Sequence, residues 1–510
     1  MPASQSWEIR TDTGSDLSGG GYDPAIGTSD YTYPTSSPIA YSDLVIAATT
    51  TNVSSAARAF VAADVGNTIS VTAVTGFTAG RYSVRSVASG IATLDRAVGT
   101  AGSTAGTGTL GGALATLAAT LSTTLTIPTQ GNTLWVRQNG TFHDLAGGIT
   151  LGFGSSAATA FLLGYGTVRG DSGIPTLKQT LSLGTSNAIV LNGNGYILRG
   201  LIVDAQGTSG GNSSPVYSGN SGHKIERVKA MNASGGGNCF NMYSATLFQC
   251  EGTGGFGGGV NNGNHVISFC YFHDLLKQAV ALSQNGSMNR CLITNIGADA
   301  VSGDVPFVTN CTFDNITGNA VKSTNQGSGI SNWQITRNIF SRCSGYGMLN
   351  ISLPLIDPAS VMLDGNAFYS CTSGNRGGFG VTYANDIALS ASPFVNAAGA
   401  DYRLNNTAGG GAAVRGASMP AALLGLTTPL VLDLGVYEHL SPPLGLTINA
   451  TGANPVLTWD ADPRAATGYV ISRGTTATNK ADIATVALAV STYTDTAVTS
   501  GTFFYGVASY

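Results

Sequence analysis

Charged side chains are scarce in this chain. Asp, Glu, Lys and Arg make up 10% of the 510 residues, whereas a soluble domain averages roughly 25%. The formal net charge is −4, and the 23 basic residues form no stripe. Because phosphate binding needs clustered Lys and Arg, the composition argues against nucleic acid as the main partner.

Long apolar runs and export signals are missing as well. No run approaches the ~20 apolar residues that a membrane-spanning helix needs. The opening Met1–Trp7 has neither the charged region nor the apolar region of a secretory signal. We therefore expect no membrane span and no signal-directed export.

Cysteine and histidine occur without a metal-binding pattern. The chain has seven cysteines, none of them in a CxxC motif, and five scattered histidines. Zinc sites usually show a paired spacing of such ligands. We expect reduced thiols formed in a reducing cytoplasm, with no metal and no cofactor.

Glycine and small polar residues are abundant. Glycine accounts for 70 of the 510 residues, about twice the usual share of ~7%. Acidic long-chain helix formers are few, so the local preference is for strands and turns. The composition predicts an all-β protein.

A short pattern repeats in the middle of the chain. Cys250, Cys270, Cys291 and Cys311 are separated by 20, 21 and 20 residues. A repeat of this length predicts a solenoid in which each repeat is one coil stacked on the last. Neither a leucine-rich frame nor a helical period is present, so a parallel β-helix is favoured.

Aligning the repeats predicts four rows of stacked side chains. The rows are Phe272, Ile293, Phe313, Phe340 and Phe368; Leu275, Ile296, Ile316, Cys343 and Cys371; Cys250, Cys270, Cys291, Cys311, Asn338 and Asn366; and the pairs Ala279-Val280, Ala300-Val301 and Ala320-Val321. Equivalent residues of successive coils should lie about 4.8 Å apart. Asparagine suits the corners because it tolerates left-handed backbone.

Two further segments flank the repeat. Residues 1–127 are predicted to form a small N-terminal β domain, with strands near 59–63, 65–71, 77–82 and 91–96. Residues 128–440 hold the β-helix with its end cap, and residues 441–510 alternate like a two-sheet sandwich. The sandwich is short, so we expect its last strand to come from another chain or from sequence beyond Tyr510.

The central coils resemble a known class of proteins. Their N-x-F and C-x-F strings resemble the right-handed parallel β-helix proteins of the pectate-lyase-like class. The stretch from Ser392–Asn396 through Asp433–Glu438 looks like the closing motif of that class, from which Leu434 and Val436 depart.

The flanking segments carry two further resemblances. The tail is similar to a fibronectin type III module through Trp459, Tyr469 and Tyr505. The opening Trp7–Asp23, together with Phe77–Tyr82, looks like the N-terminal part of β-helix virion proteins of tailed bacteriophages.

The phage resemblance implies a structural virion protein, assembled in the bacterial host cytoplasm as a head decoration, a fibre or a tail-associated protein. Its N-terminal domain would bind other virion proteins, and its β-helix would form a rigid shaft, with a homotrimer favoured. The terminal sandwich would project and contact the outside or a host-surface glycan. Two alternatives stay open: a tailspike-like depolymerase of host polysaccharide, and a bacterial carbohydrate-binding adhesin, against which the missing signal sequence argues.

Carboxylates beside the coils are the candidate catalytic groups if the chain is an enzyme. Glycan hydrolysis needs two carboxyl groups ~5–9.5 Å apart, a range that one or two coil rises span. The candidates are Asp274, Asp299, Asp304, Asp314 and His273. The alignment places Asp314 in the row of His273, and Asp274 in the row of Asn295 and Asn315.

These carboxylates also suit the capping of turns, which is the simpler interpretation. No acidic cluster has the density that a Ca²⁺-dependent lyase would need. The sequence therefore favours a protein without enzymatic activity; if it is an enzyme, it is a polysaccharide hydrolase or lyase.

Overall fold

A computed structural model describes residues 5–509 apart from 48, 122–131, 140–141, 153–158, 172, 182–185, 208–210, 284–285, 304–306, 324–332, 352–360, 379–384, 406, 416–434, 436–445, 451–453, 460–467, 476–479, 488–489 and 499–500. The regular secondary structure of the described chain is nearly all β-strand, which confirms the predicted fold class. It divides into two compact units. The first unit comprises Met1–Asp364 with Ser370–Ala384, and the second comprises Gly365–Tyr369 with Asn385–Tyr510.

The first unit is dominated by a parallel β-helix. Its strands stack into three ladders, and a typical coil contributes one strand to each ladder. Strands are numbered along the chain. The first ladder contains β1 (Ser6–Ile9), β9 (Thr133–Arg137), β12 (Ala160–Tyr165), β15 (Tyr196–Asp204), β17 (His223–Ala233), β19 (Ala245–Phe248), β22 (Val266–Ser268), β25 (Ser287–Asn289), β28 (Phe307–Thr309), β31 (Trp333–Thr336) and β34 (Val361–Asp364).

The second ladder uses the C-terminal halves of β15 and β17 together with shorter strands. These are β10 (His143–Asp144), β13 (Thr176–Lys178), β20 (Glu251–Gly255), β23 (Tyr271–Leu275), β26 (Leu292–Ile296), β29 (Thr312–Ile316) and β32 (Ile339–Cys343). The third ladder contains β11 (Ile149–Leu151), β14 (Ile189–Leu191), β16 (Val216–Ser218), β18 (Asn238–Met242), β21 (Gly258–Gly263), β24 (Val280–Leu282), β27 (Val301–Gly303), β30 (Val321–Ser323), β33 (Tyr346–Asn350) and β36 (Gly374–Gly377).

The predicted rows are present in the core of the first unit. Phe272 pairs in register with Ile293, Ile293 with Phe313, and Phe313 with Phe340. The row from Leu275 to Cys343 and the row of inward valines follow the same register. The continuation of two rows to Phe368 and Asn366 lies in the second unit and stays a prediction, as does the handedness of the coil.

Two columns of left-handed residues turn the coil at its corners. One column stands between the first and second ladders and contains Gly200, Arg227, Gln249, Phe269, Arg290, Asn310 and Arg337, with φ from 51° to 65°. The other column lies near the C-terminal ends of the second-ladder strands and continues to Ser370; it contains Asn232, Gly254, Asp274, Asn295, Asn315, Arg342 and Ser370. Asparagine at four of these corners agrees with its tolerance of positive φ.

The cysteine row satisfies backbone groups inside the coil. The N–H of Cys250 donates to Sγ of Cys270 at 3.4 Å, and the N–H of Cys291 donates to Sγ of Cys311 at 3.4 Å. One coil further, Asn338 takes over: its Oδ1 accepts the N–H of Cys311 at 2.8 Å, and its Nδ2 donates to the carbonyl of Val308 at 3.0 Å. Asparagine continues the row because, like a thiol, it both accepts and donates.

A closed six-stranded barrel precedes most of the β-helix. Its strands are β3 (Ile39–Ile46), β4 (Asn52–Ser54), β5 (Thr68–Val71), β6 (Gly80–Ala88), β7 (Ile91–Leu94) and β8 (Gly106–Leu110). The strand predicted near 59–63 is wrong, because Ala62–Asp64 forms a 3₁₀ turn in which the Asp64 carboxylate accepts the N–H of Val61 at 2.9 Å. A second 3₁₀ turn, Ala118–Leu121, follows the barrel.

Strand β1 belongs to the β-helix although the barrel follows it in sequence. It pairs in parallel with β9 and in antiparallel with β2 (Gly21–Tyr22). Glu8 of β1 is fully buried and accepts hydrogen bonds from Arg169, at 2.7 and 3.0 Å, and from Arg10. These buried charges are paired, as burial requires.

The second unit contains three small groups of strands. Strands β35 (Ala367–Tyr369) and β37 (Ile387–Ala388) pair in parallel, and β38 (Phe394–Asn396) and β39 (Asp401–Leu404) pair in antiparallel. The 3₁₀ turn Ala397–Gly399 and the one-turn helix α1 (Gly411–Val414) adjoin the second pair. The closing motif from Asp433 to Glu438 lies outside the described residues apart from Gly435.

Two three-stranded antiparallel sheets complete the second unit. One contains β40 (Thr447–Asn449), β41 (Val456–Thr458) and β44 (Thr492–Thr494), and the other contains β42 (Gly468–Gly474), β43 (Ala481–Ala487) and β45 (Phe504–Ser509). Their apolar core consists of Leu457, Trp459, Tyr469, Ile471 and Val507. This arrangement agrees with the predicted C-terminal sandwich.

Candidate functional site

A charged cluster lies on the outer face of the second ladder. His273 stands between two carboxylates: its Nε2 is 2.9 Å from Oε1 of Glu251, and its Nδ1 is 2.7 Å from Oδ2 of Asp274. Lys229 Nζ lies 2.8 Å from the same Glu251 oxygen. The Tyr271 ring stacks on the imidazole, with 4.0 Å between ring centroids. We call these five residues the His273 cluster.

The hydrogen bonds of the His273 cluster favour the charged forms of both the imidazole and the carboxylates. Burial works to lower the pKa of His273, but the hydrogen bonds from Glu251 and Asp274 outweigh it and raise that pKa. The same hydrogen bond from His273 lowers the pKa of Glu251. Neither carboxyl group is therefore prepared to donate a proton at neutral pH, which the acid of a glycosidase must do.

Asp274 lies within β23 but has left-handed backbone. Its φ is 54°, its side chain is 56% exposed, and its Oδ1 accepts from Nδ2 of Asn295 at 2.9 Å. Nδ2 of Asn315 donates in turn to Oδ1 of Asn295 at 2.8 Å. The predicted row of Asp274, Asn295 and Asn315 is thus confirmed, and it is a hydrogen-bonded ladder on the surface.

The other two described aspartates are held by cations. Asp314 is fully buried and receives two hydrogen bonds from the guanidinium of Arg342, one of them from Nε at 2.9 Å. Asp299 accepts from Lys322 Nζ at 2.8 Å and from Asn319 Nδ2 at 2.7 Å. Burial opposes the effect, but these hydrogen bonds lower the pKa of Asp299.

Of the four predicted candidates that lie within the described residues, His273 and Asp274 are in contact with each other. Asp314 shares the row of His273, as predicted, but Thr294 separates them. Asp299 pairs with Lys322 and Asn319 at the turn that leads to the third ladder, and Asp304 lies outside the described residues.

Sequence reasoning missed Glu251. Its signal was the position directly after Cys250, equivalent to Tyr271 after Cys270, which places it on the outer face beside His273.

A strip of exposed aromatic and basic side chains lies at the corner between the first and second ladders. The rings of Phe248 and Phe269 meet edge to face with centroids 5.6 Å apart, and they are 39% and 45% exposed. The Arg290 guanidinium lies 5.6 Å from the centre of the Phe269 ring. We call Phe248, Phe269 and Arg290 the aromatic strip.

The backbone of the aromatic strip is strained. Phe269 and Arg290 have φ of 56° and 51°, a region that costs roughly 1 kcal/mol or more for residues other than Gly, Asn and Asp. The same conformation recurs at Arg227, Gln249 and Arg337 of this column. What sets Phe269 apart from them is a half-exposed aromatic ring in contact with that of Phe248.

Metal and membrane features are absent from the described part of the chain. No group of three or more His, Cys, Asp or Glu side chains is arranged to hold a metal ion there. Within the same residues, no helix has the length and apolar character needed to cross a membrane.

Comparisons with known proteins give only distant likenesses. No family model and no curated protein matches the chain. A structure of the GH136 lacto-N-biosidase from Eubacterium ramulus is 8% identical over 54% of this chain and 64% of its own, with a TM-score of 0.29. The tailspike protein gp49 from Pseudomonas phage LKA1 is 11% identical over 69% of this chain and 65% of its own, with a TM-score of 0.16. The chain thus spans just under two thirds of each of those proteins.

Proposed function

We propose that this chain is a structural virion protein of a tailed phage whose β-helix forms a rigid shaft with a glycan-adhesive surface. One observation carries the proposal: three parallel ladders continue in register through successive coils, while Asp274, Asp299 and Asp314 are all engaged in structural hydrogen bonds. Such a stack supports its own length because each coil contacts only its neighbours.

We assign a separate role to each of the three predicted segments. Residues 1–127 would attach the protein to other virion components, residues 128–440 would form the shaft, and residues 441–510 would project as a fibronectin type III-like module. The two three-stranded sheets around Trp459 support the last assignment. The resemblance of Trp7–Asp23 to phage virion proteins supports the first.

The outer face of the first ladder supports self-association. Val266, Phe307 and Met362 lie in one register row, separated by Ser287 and Gln334, and their side chains are 39% to 56% exposed. An apolar row along a sheet face is typical of a surface that a second chain covers. We favour a homotrimer, since cyclic symmetry brings the same face of each copy to one axis.

The aromatic strip supports the adhesive role. Exposed rings offer flat apolar faces for the C–H groups of a sugar, and neighbouring Arg290 and Gln249 offer donors for its hydroxyl groups. A host-surface polysaccharide therefore fits this corner better than a metal or a nucleotide.

Two experiments test the proposed function. Locating the chain in a reconstruction of phage particles should show it as a shaft on the capsid or the tail; absence from particles would refute the virion role. Incubating purified protein with host capsule or lipopolysaccharide should give binding without new reducing ends or unsaturated uronate.

The His273 cluster favours one second candidate, a polysaccharide depolymerase. Glu251 and Asp274 flank the imidazole of His273 on adjacent coils, and because the pKa of His273 is raised, the imidazolium rather than either carboxyl group would donate the proton. Product release that disappears in both Glu251→Gln and Asp274→Asn, but persists in Asp299→Asn, would establish the depolymerase and reject the purely structural role. Product that persists in all three would point to a different site.

A further inference from the structure

Two thiols lie side by side near the last described coils of the first unit. The N–H of Thr372 donates to the carbonyl of Cys343 at 2.8 Å, just as the N–H of Ser344 donates to the carbonyl of Ile316 at 2.8 Å. Ile316 and Cys343 are register partners. The identical bonding pattern makes Cys343 and Cys371 register partners as well.

This register satisfies the geometry of a disulfide. Partners on adjacent strands have Cα atoms about 4.8 Å apart, and disulfides form when that distance is about 4.4–6.8 Å. Both side chains continue the inward row of Leu275, Ile296 and Ile316, so they leave the backbone on the same side. In-register parallel strands also keep the Cβ atoms about 4.8 Å apart, so bridging requires them to approach by a few tenths of an ångström to reach the roughly 3.5–4.5 Å of a disulfide.

Accessibility distinguishes Cys371 from the other cysteines. Cys371 is partly exposed, whereas its neighbour Cys343 is buried, as are Cys239, Cys250, Cys270, Cys291 and Cys311. The hydrogen bond from Cys343 lowers the pKa of Cys371, while burial raises the pKa of Cys250 and Cys291 well above the ordinary value. A thiolate is the attacking species in disulfide exchange, so the first attack on a dissolved disulfide falls to Cys371, and buried Cys343 acts only on the mixed disulfide formed beside it.

The internal bonds of the two thiols are also weak. Sγ of Cys343 lies 3.7 Å from the carbonyl oxygen of Ser341, and Sγ of Cys371 lies 3.9 Å from that of Phe340. The corresponding distance for Cys311 is 3.2 Å. Oxidation of Cys343 and Cys371 therefore gives up little hydrogen bonding.

We propose that Cys343 and Cys371 form an oxidative modification site, closing to an intramolecular disulfide that joins two successive coils when the protein meets a small-molecule disulfide such as oxidised glutathione. The Cys371 thiolate attacks one glutathione sulfur, which forms a mixed disulfide and releases one glutathione thiolate. Cys343 then loses its proton and attacks the Cys371 sulfur, expelling the second glutathione thiolate. Two protein thiols are oxidised and one glutathione disulfide is reduced to two thiols.

The timing of this step, but not its chemistry, rests on the proposed virion function. A particle assembled in a reducing cytoplasm would carry free thiols until lysis releases it into an oxidising medium. The disulfide would then fasten the shaft close to its C-terminal coils.

Peptide mapping tests the proposal directly. Full-length protein purified with reductant is incubated with oxidised glutathione at pH 8, alkylated under denaturing conditions and digested. We expect one crosslinked peptide pair containing Cys343 and Cys371, five alkylated cysteines, and a thermal midpoint raised by roughly 5 °C over the reduced protein.

Serine variants separate the two roles. Cys371→Ser should abolish the crosslink, Cys343→Ser should leave Cys371 as a stable glutathione adduct, and the buried control Cys291→Ser should retain the crosslink. A different cysteine pair, an intermolecular disulfide or a glutathione adduct that never closes in the unsubstituted protein would overturn the proposal. Peptide mapping of the unsubstituted protein tests the disulfide even if a variant fails to fold. Its result does not depend on whether the chain is found in phage particles.

Discussion

At the scale of single residues, the left-handed corners separate structural from functional side chains. Asn295 and Asn315 suit their positive φ and continue a hydrogen-bonded ladder, so their presence is explained by the fold. Phe269 suits neither the conformation nor the solvent around it. A residue type that is unfavourable for its own backbone conformation is a candidate for a functional role.

Phe269→Asn tests that distinction. Asparagine relieves the backbone strain, while the edge-to-face contact with Phe248 is lost, so the free energy of unfolding should change by less than about 1 kcal/mol. Binding to the host polysaccharide, measured by glycan pull-down or calorimetry, should fall at least tenfold. Asn310→Ala, at another corner of the same column, serves as the control and should leave binding unchanged. Equal binding by Phe269→Asn and the unsubstituted protein would remove the aromatic strip from the adhesive role.

The buried carboxylate of Asp314 gives a second prediction. Arg342→Asn keeps a residue suited to positive φ but leaves Asp314 buried without its cation, which should lower the free energy of unfolding by roughly 3 kcal/mol. The double variant Asp314→Asn with Arg342→Asn should recover most of the loss, because no buried charge remains. Denaturant titration measures both, and a double variant as unstable as the single one would contradict the ion-pair explanation.

At the scale of elements, the cysteine row shows how cysteine and asparagine can satisfy the same backbone groups. Asn338→Ala would leave the N–H of Cys311 and the carbonyl of Val308 without partners, at a cost of roughly 2–4 kcal/mol. Asn338→Cys restores an acceptor and a weak donor, so it should cost less than half as much. Thermal unfolding of the two variants gives the comparison, and equal losses would mean that the row is held by volume alone.

The uniform coils explain which elements could be predicted from the sequence. Between Cys250 and Val321 the repeats are 20 or 21 residues long, so a simple alignment reproduced their register. The pairing of β1 with β9 could not be read this way, because the barrel strands come between them in the chain.

The candidate site was predictable only in part. Alignment placed His273, Asp274 and Asp314 in their correct rows, but the pairing of Asp314 with Arg342 depends on a coil that is 27 residues after its neighbour and carries an extra loop. The alignment includes the position of Glu251, but the spacing of the repeats does not predict that its side chain contacts His273. Side-chain pairing across coils is a tertiary property.

At the scale of the whole molecule, stability should depend on pH through buried histidines. Burial lowers the pKa of His223 and of His265 to about 4, and it also lowers the pKa of His143. An unfolded histidine has a pKa of about 6.5, so the unfolded chain takes up protons first as the pH falls. Stability should be full above pH 6.5 and decline towards pH 4, by about 3 kcal/mol for each of the two stronger cases.

Denaturant midpoints measured from pH 7.5 to pH 4 test this dependence. His265→Gln, which cannot charge, should show a shallower decline than the unsubstituted protein. His273 acts in the opposite sense, because its raised pKa contributes stability at low pH that is lost as the pH rises through the folded value. His273→Gln should therefore steepen the acid decline, and identical slopes in all three proteins would exclude histidine as the source.

The in-register stacking of the β-helix has a consequence for its length. Arg290 and Asn310 occupy the same corner column, with φ of 51° and 52°, and each precedes a cysteine of the same row. Excising residues 291–310 would join Arg290 to Cys311 and remove one whole turn. Phe272 would then meet Phe313, and Asp274 would meet Asn315, so each of these rows would keep its kind of side chain. Each turn adds about 4.8 Å to the β-helix, so deletion or duplication of single turns would change its length in steps of that size.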